Sequence, residues 1–272
     1  MTTNNSTSAN QSLLVEGLGH RYGDHQVLQD LSFEVQTGQF VSVVGPSGAG
    51  KSTLLQCLTG LRRPTAGQVS FRGERVNGTP RGMSIVFQDY SRSLMPWMSV
   101  ADNVGLPLRS AGLNKTDRSA RVQRALAEVG LAGNEAKYPW QLSGGMQQRV
   151  AIARALAFDP AAIVMDEPFA SVDAQTRSEL EDLVLSVRDH LGIMVLLVTH
   201  DIDEAVYLAD RVLVLAGRPA TLAADLSVDL PVPRHQVRTK ALPLFGELRG
   251  EVLALIQGNG AAQETPQAAA RA

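Results

Sequence analysis

The sequence predicts an α/β fold in which a mostly parallel sheet carries a phosphate-binding loop. Three observations support this. A glycine-rich loop lies between an apolar strand and a helix, and apolar strands alternate with amphipathic helices along most of the chain. A block without clear strands, residues 89–157, interrupts that alternation. We therefore expect an α/β core with an antiparallel β subdomain and an inserted α-helical subdomain.

Length and composition are ordinary for such a protein. The 272 residues suffice for one large domain or two small ones, and the net charge of −2 argues against nucleic-acid binding through bulk electrostatics. The single cysteine, Cys57, excludes an intramolecular disulfide, favours a reducing compartment and is expected to be buried. Residues 1–11 predict a disordered tail rather than a signal peptide. Because no apolar run approaches the roughly 18 residues of a membrane span, we expect a cytoplasmic protein.

The phosphate-binding loop fits the pattern G-x-x-x-x-G-K-[ST] at every fixed position, and strand 40–44 precedes it. Its glycines let successive backbone N–H groups point at an anion, and the helix N-terminus adds partial positive charge. Lys51 is predicted to reach the β- and γ-phosphates of a nucleotide, and the Ser52 hydroxyl to hold Mg²⁺. The loop consists of Gly45, Pro46, Ser47, Gly48, Ala49, Gly50, Lys51, Ser52 and Thr53.

The elements around the loop follow from periodicity. Residues 13–21 and 27–35 predict two strands, the second half-buried and antiparallel because apolar and polar residues alternate in it. Past the loop, one helix face is predicted from Leu54, Leu55, Leu58 and Leu61, and short strands from residues 69–72 and 85–87. In the helical block, helices are predicted to begin at Ser99, at Asn114 or Thr116, and at Gly144.

The alternation resumes after the block. Strands are predicted at residues 161–165, 193–198 and 211–215, and helices at 173–191 and 201–209. Beyond Gly217 four prolines predict a loose segment, followed by a last helix at 242–256 and a disordered tail from Gln257. This C-terminal extension, residues 218–272, is too short for a second core of ordinary size.

Polar side chains follow three of the apolar strands, at the point where each strand ends. They are Gln88, the pair Asp166 and Glu167, and His200. Singly, each has an ordinary explanation as a loop, turn or cap residue. The carboxyl ends of parallel strands line one sheet edge, where ligands bind, so we expect these four around the γ-phosphate.

A second anion-binding device opens the third helix of the block, where Ser143 is followed by Gly144 and Gly145. A simple N-cap serine before a flexible turn is the alternative. An inserted helical block does not easily fold back onto its own phosphate loop. A second copy of the chain, related by a two-fold axis, would bring this device to the nucleotide in trans.

Taken together, these motifs resemble the ATP-binding subunits of ABC transporters over residues 13–217. The motifs that carry the resemblance are the phosphate loop, the Q-loop Gln88, the signature Leu142-Ser143-Gly144-Gly145, the Walker B strand 163–167, the D-loop Ser171-Val172-Asp173 and the switch His200. The resemblance implies a P-loop NTPase core, with residues 12–217 as the ATP-binding domain. Met146 and Val172 differ from the residues that are commoner in the family at these positions. Neither difference changes the expectation that the protein hydrolyses ATP.

The resemblance also implies roles for individual residues. Tyr22 would stack on adenine, Asp166 would hold the Mg²⁺ shell, and Glu167 would be the general base. Gln88 would contact Mg²⁺ or the attacking water and sense the membrane partner, and His200 would contact the γ-phosphate. In the other subunit, Ser143 and Gly145 would close on the nucleotide and Asp173 would lie across the dimer seam.

The segment after Gln88 resembles one importer group in particular. The pattern Leu94-x-Pro96-Trp97 is similar to importers of nitrate, sulfonates, taurine and thiamine precursors. The implied partners are a second copy in a head-to-tail homodimer, integral-membrane permease subunits and, indirectly, a solute-binding protein, with no nucleic acid. The implied location is peripheral, on the cytoplasmic face of the inner membrane. We expect Leu94, Pro96 and Trp97 to contribute to a groove for a permease helix, with Trp97 as helical-block core the alternative.

Two other classes of ABC-type protein remain possible from the sequence alone. A soluble ABC ATPase of DNA repair or the ribosome is disfavoured because the insert is compact and the chain has one cassette. A non-hydrolysing nucleotide-dependent scaffold is disfavoured by the presence of Lys51, Glu167 and His200.

Overall fold

The computed structural model describes residues 12–89 and 93–261, with no side chains described for 259–261. In these residues ten strands form two sheets. The larger sheet has the order β10-β9-β3-β8-β7-β6 and is parallel except for β10. Its strands are β3 (Phe40–Val44), β6 (Met83–Val86), β7 (Ala162–Asp166), β8 (Met194–Val198), β9 (Arg211–Ala216) and β10 (Thr221–Ser227).

The second sheet is smaller and antiparallel. Its order is β2-β1-β4-β5, and Leu13, Leu31 and Phe71 of this sheet share one apolar cluster with α1 and the larger sheet. The strands are β1 (Leu13–Tyr22), β2 (His25–Val35), β4 (Ala66–Phe71) and β5 (Glu74–Arg75), and α1 spans Lys51–Leu58. This confirms the predicted antiparallel β subdomain.

The helical block lies between β6 and β7, and the structure describes no strand in residues 93–161. Val104, Leu126 and Val150 from its three helices are fully buried in one apolar cluster that continues into the larger sheet. The block contains α2 (Val100–Gly105), α3 (Lys115–Glu128) and α4 (Gly144–Ala157), with short 3₁₀ turns at Pro107–Arg109 and Pro139–Gln141. The predicted inserted α-helical subdomain is therefore confirmed.

Side-chain caps set the helix starts. The Ser99 hydroxyl accepts a hydrogen bond from the Asp102 N–H (3.1 Å), and the Asn114 side chain accepts one from the Asp117 N–H (2.9 Å). Asn114, rather than Thr116, therefore caps α3. Helix α5 (Ala174–Leu191) begins after Asp173 and α6 (Ile202–Leu208) after Asp201, each capped by that aspartate.

The C-terminal extension differs from the sequence prediction. Instead of a loose segment after Gly217, β10 pairs with β9, and the helices α7 (Gln236–Lys240) and α8 (Pro243–Ala261) follow. Phe245 and Val252 of α8 are buried in the same cluster as the large sheet. The predicted disorder from Gln257 is wrong for residues 257–261, which are helical, because α8 continues past its buried face. The predicted tails at 1–11 and 262–272 lie outside the described residues.

Two apolar residues lie elsewhere than predicted, Leu61 from helix periodicity and Leu94 from the resemblance to the importer group. Leu61 lies beyond the end of α1 and is exposed, whereas Leu94 is buried (2% exposed). The helix ends early because Gly60, at φ 70°, takes a left-handed conformation that breaks the repeat. No helix within the described residues has the length and apolar character needed to cross a membrane.

Candidate nucleotide site

The phosphate-binding loop connects β3 to α1 at the carboxyl edge of the parallel strands. Gly48 (φ 79°) and Gly50 (φ 76°) have left-handed backbone conformations. A Cβ on Gly50 would lie 2.7 Å from Val27 Cγ1, so the loop needs glycine there for space as well as for conformation. The loop borders an open cleft of about 580 Å³ that Glu167 and His200 also line.

Lys51 points back over the loop. Its Nζ donates to the carbonyl oxygens of Gly45 (2.7 Å) and Pro46 (3.1 Å). Burial lowers the pKa of Lys51, and the carboxylates of Glu167 and Asp166 oppose that shift. The ammonium group is therefore fixed at the loop and largely withdrawn from water, where it attracts a phosphate more strongly than a solvated lysine would.

Three of the predicted polar residues meet at Glu167. Gln88 Nε2 donates to Glu167 Oε2 (3.0 Å), and His200 Nδ1 lies 3.2 Å from Glu167 Oε1. The Glu167 N–H donates to the Val198 carbonyl (2.8 Å), which ties the residue to the end of β8. The structure thus brings Gln88, Glu167 and His200 together beside the phosphate loop, as their positions at strand ends predicted.

Asp166 and Ser52 form the part of the site suited to a cation. Burial and the adjacent Glu167 charge raise the pKa of Asp166, while a hydrogen bond from the Ser52 hydroxyl and the charge of Lys51 lower it. A divalent cation would counter the first two effects, and hydroxyl and carboxylate oxygens are the ligands that Mg²⁺ prefers. Ser52 and Asp166 therefore fit Mg²⁺ as the residues that would hold it.

Tyr22, the last residue of β1, lies near the far end of the loop. Its hydroxyl is 3.3 Å from Thr53 Oγ1, and its ring makes an edge contact with His20 at 4.8 Å. The guanidinium of Arg62 lies over the ring, 4.7 Å from its centroid, and is held there by Gln56 (2.8 Å). Arg62 could not be identified from the sequence, because nothing in its spacing connects it to Tyr22.

The Ser143 motif lies at the N-terminus of α4, away from the loop. No residue of the helical block is among those that line the phosphate-loop cleft in the described part of the chain. The Ser143 hydroxyl accepts a hydrogen bond from the Met146 N–H (3.3 Å), so it does cap the helix. Within one chain, then, Ser143 and Gly145 do not reach the phosphate loop.

Gly145 packs closely against the start of α5. A Cβ on Gly145 would lie 2.3 Å from Thr176 Cγ2. Thr176 Oγ1 in turn donates to Asp173 Oδ2 (2.7 Å), and the Thr176 N–H donates to Asp173 Oδ1 (3.0 Å). The signature motif and Asp173 therefore form one continuous surface, joined through Thr176.

Leu94, Pro96 and Trp97, the three apolar residues of the segment after Gln88, differ in how far they are exposed to solvent. Trp97 is 71% exposed, which rules out the helical-block core as its location, and Pro96 is exposed too. Leu94 is buried and cannot line a surface groove. Residues 90–92 of this segment lie outside the described residues. A nearby apolar cleft of about 650 Å³ is lined by residues that include Phe87, Leu106, Pro107 and Phe158.

Comparisons with known proteins agree with this geometry. The ABC transporter family matches residues 28–170. An aliphatic sulfonates import ATP-binding protein of Xanthomonas axonopodis pathovar citri is 49% identical over 80% of this chain and 86% of its own length. A nitrate import ATP-binding protein of Synechocystis is 40% identical over 87% of this chain and 90% of its own. A dimeric ATP-binding cassette solved in a post-hydrolysis state with ADP and Pi superposes with a TM-score of 0.69 at 30% identity, covering 79% of this chain and 98% of that one.

Proposed function

The chain belongs to the ATP-binding subunits of ABC transporters, and we propose that it hydrolyses ATP to drive uptake of a small solute: a sulfonate, taurine, nitrate or a related compound. The observation that best supports ATP hydrolysis is that Glu167 lies between Gln88 and His200 beside the phosphate loop. The importer relatives favour this function over a non-transport ATPase. The domain limits 12–217 stay a prediction.

In this proposal the loop binds the triphosphate through its backbone N–H groups and Lys51. Ser52 and Asp166 hold Mg²⁺, which when bound neutralises charge on the β- and γ-phosphates. Tyr22 stacks on adenine. Catalysis of phosphoryl transfer consists mainly of positioning and charge stabilisation. The fixed ammonium of Lys51 therefore contributes to catalysis by stabilising charge on the phosphates.

Glu167 is the proposed general base for the attacking water. One oxygen of its carboxylate accepts a hydrogen bond from Gln88, and the ring of His200 lies beside the other oxygen. Both neighbours therefore orient the carboxylate. His200 is exposed on its outer side and is free to contact the γ-phosphate. Gln88 connects the base to the segment that leads into the helical block, which suits a residue that senses a partner.

The trans arrangement is supported by the lining of the phosphate-loop cleft, which among the described residues includes no residue of the Ser143 motif. Because Ser143 and Gly145 do not line their own chain's cleft, we propose that they close on the nucleotide of a second copy in a head-to-tail homodimer. Asp173, joined to Gly145 through Thr176, then lies at the dimer seam. Each of the two sites would be complete only when the dimer is closed.

We propose further that the apolar cleft beside Phe87 and Phe158, with the exposed Trp97, receives a helix of the integral-membrane permease. The permease would in turn receive solute from a solute-binding protein. The subunit would therefore act as a peripheral protein on the cytoplasmic face of the inner membrane.

The replacement of Glu167 by Gln tests the general base. The Glu167→Gln protein should bind ATP, hydrolyse it very slowly and accumulate as an ATP-bound dimer, measured by phosphate release and size-exclusion chromatography. Glu247→Gln, an exposed glutamate of α8, is the matched control and should behave as wild type. Near-normal turnover of Glu167→Gln would exclude this residue as the base.

Mixing variants tests the trans contact. In a dimer of one Lys51→Ala subunit and one Ser143→Ala subunit, the trans arrangement brings the intact loop of one chain and the intact signature of the other to the same nucleotide. One site is then complete and the other lacks both motifs, so at most one site can work. A mixture that is no more active than either variant alone would exclude sharing between subunits. The solute is identified separately, by ATPase stimulation in the reconstituted transporter with sulfonates, taurine, nitrate and pyrimidine precursors.

A further inference from the structure

The turn that carries His200 is fixed by its neighbours in sequence. Thr199 Oγ1 donates to Glu204 Oε2 (2.7 Å), and the Asp201 N–H donates to Thr199 Oγ1 (3.0 Å). Asp201 also caps α6 by accepting from the Glu204 N–H (3.2 Å). His200 itself projects from a turn whose two flanking residues and following helix are hydrogen-bonded together.

Helix α5 anchors this turn from the side. Arg177 Nη1 lies 3.2 Å from Asp201 Oδ2, and Arg177 Nε lies 3.6 Å from Glu204 Oε1. Arg177 is in the first turn of α5, next to Thr176 and close to the cap Asp173. One guanidinium therefore connects the His200 turn to the helix that begins at the proposed dimer seam.

The C-terminal extension reaches the same face of α5. Glu181, one helical turn after Arg177, is almost completely buried (1% exposed). Lys240 Nζ of α7 lies 3.4 Å from Glu181 Oε2, and Gln236 Nε2 donates to the same oxygen (2.9 Å). Lys240 also lies over the Tyr207 ring of α6, 4.7 Å from its centroid.

These contacts form one buried charge cluster, which we define as Arg177, Glu181, Asp201, Glu204 and Lys240. It holds three carboxylates and two cations. Burial raises the pKa of Glu204 to about 7, and the charges of Asp201 and Glu181 add to that rise, so the carboxylates lie close enough to repel one another. Arg177 pairs with Asp201 and Glu204, and Lys240 is the cation that pairs with Glu181.

We propose that Lys240, on the C-terminal extension, is a positioning residue for the ATPase site: by pairing with Glu181 it leaves Arg177 to Asp201 and Glu204 and so holds the His200 turn in place. This rests on the proposed function of His200. Without Lys240, Glu181 would be a buried carboxylate one turn from Arg177 that keeps the Gln236 amide as a hydrogen-bond donor but has no paired cation. The guanidinium would be drawn toward it, and the His200 turn would lose its side anchor.

The test compares four proteins in steady-state ATP hydrolysis. Lys240→Met should lower kcat by about 3- to 10-fold while the KM for ATP stays within about 2-fold, because the turn is misplaced and the phosphate loop is untouched. Lys240→Arg should restore most of the rate. Lys240→Met combined with Glu181→Gln should also recover it, since the charge that attracts Arg177 is gone. Lys115→Met, an exposed lysine of α3, is the control for loss of a positive charge.

Three outcomes would overturn the proposal. They are a wild-type kcat for Lys240→Met, an equal loss in Lys115→Met, and a loss that Glu181→Gln does not relieve. All rates are measured well below each variant's melting temperature, so that unfolding does not imitate the effect. If instead His200→Ala or Glu167→Gln hydrolyses ATP normally, the proposed function fails and not this inference alone.

Discussion

The close contact between Gly145 and Thr176 makes Gly145→Ala a demanding test of how the signature motif packs. The new Cβ would lie 2.3 Å from Thr176 Cγ2, far inside van der Waals contact. Rotating Thr176 would move the methyl away but would break the bond from its hydroxyl to Asp173. The clash is therefore relieved either by giving up that hydrogen bond or by a slight separation of α4 and α5.

The change in the free energy of unfolding that we expect for Gly145→Ala has two opposing contributions. Overpacking of this kind costs about 1–3 kcal/mol, while alanine in place of glycine near a helix start gains up to about 1 kcal/mol. We expect a net loss of about 1–2 kcal/mol in the free energy of unfolding. Gly246→Ala, in α8 with open space around it, should show only the gain.

The assay is urea unfolding of the isolated subunit in a double-mutant cycle with Thr176→Ser. Serine keeps the hydroxyl that binds Asp173 and removes the methyl that clashes. In that background Gly145→Ala should be neutral or stabilising, which gives a coupling of about 1–3 kcal/mol between the two positions. A coupling below about 0.5 kcal/mol would refute the packing argument.

Three further predictions concern single side chains. Burial raises the pKa of Cys57 to about 11, so the native thiol should resist Ellman's reagent at about pH 8, and rapid labelling before urea unfolding would contradict its burial. Burial raises the pKa of Glu204 from 4.5 to about 7, so the folded state keeps a proton that the unfolded chain loses as the pH rises between these two values. Over that pH range the free energy of unfolding of the wild type should fall by roughly 3 kcal/mol relative to that of Glu204→Gln. A difference in urea unfolding that does not change with pH would count against this. Arg62→Ala should weaken binding of a fluorescent ATP analogue by about 2- to 5-fold through loss of its contact with Tyr22, and unchanged affinity would show that the contact does not orient the ring.

Local chemistry made much of this structure predictable. Ser99 and Asp173 cap helices as their residue types suggest, and the strand-end positions of Gln88, Glu167 and His200 were enough to place them together. Strand β10 was missed because its alternation is carried by a few small apolar residues between prolines. It is stabilised by pairing with β9, which no local pattern reports.

The buried charge cluster was unpredictable for a similar reason. Periodicity tells which face of α5 is buried, but not which charged side chains from distant segments meet there. Arg177, Glu204 and Lys240 belong to three separate helices, and only the packing of those helices brings them to one place. The same holds for Arg62 over Tyr22.

The backbone of Glu167 has a consequence for protein engineering. Its φ of 43° lies in the left-handed region, which costs a non-glycine residue roughly 1–2 kcal/mol. Glycine or asparagine would adopt this conformation more easily, so a substitution that removes the proposed base should make the fold more stable. A laboratory selection for heat resistance alone would then enrich inactive subunits, and any search for a sturdier version of this protein has to score turnover at every round.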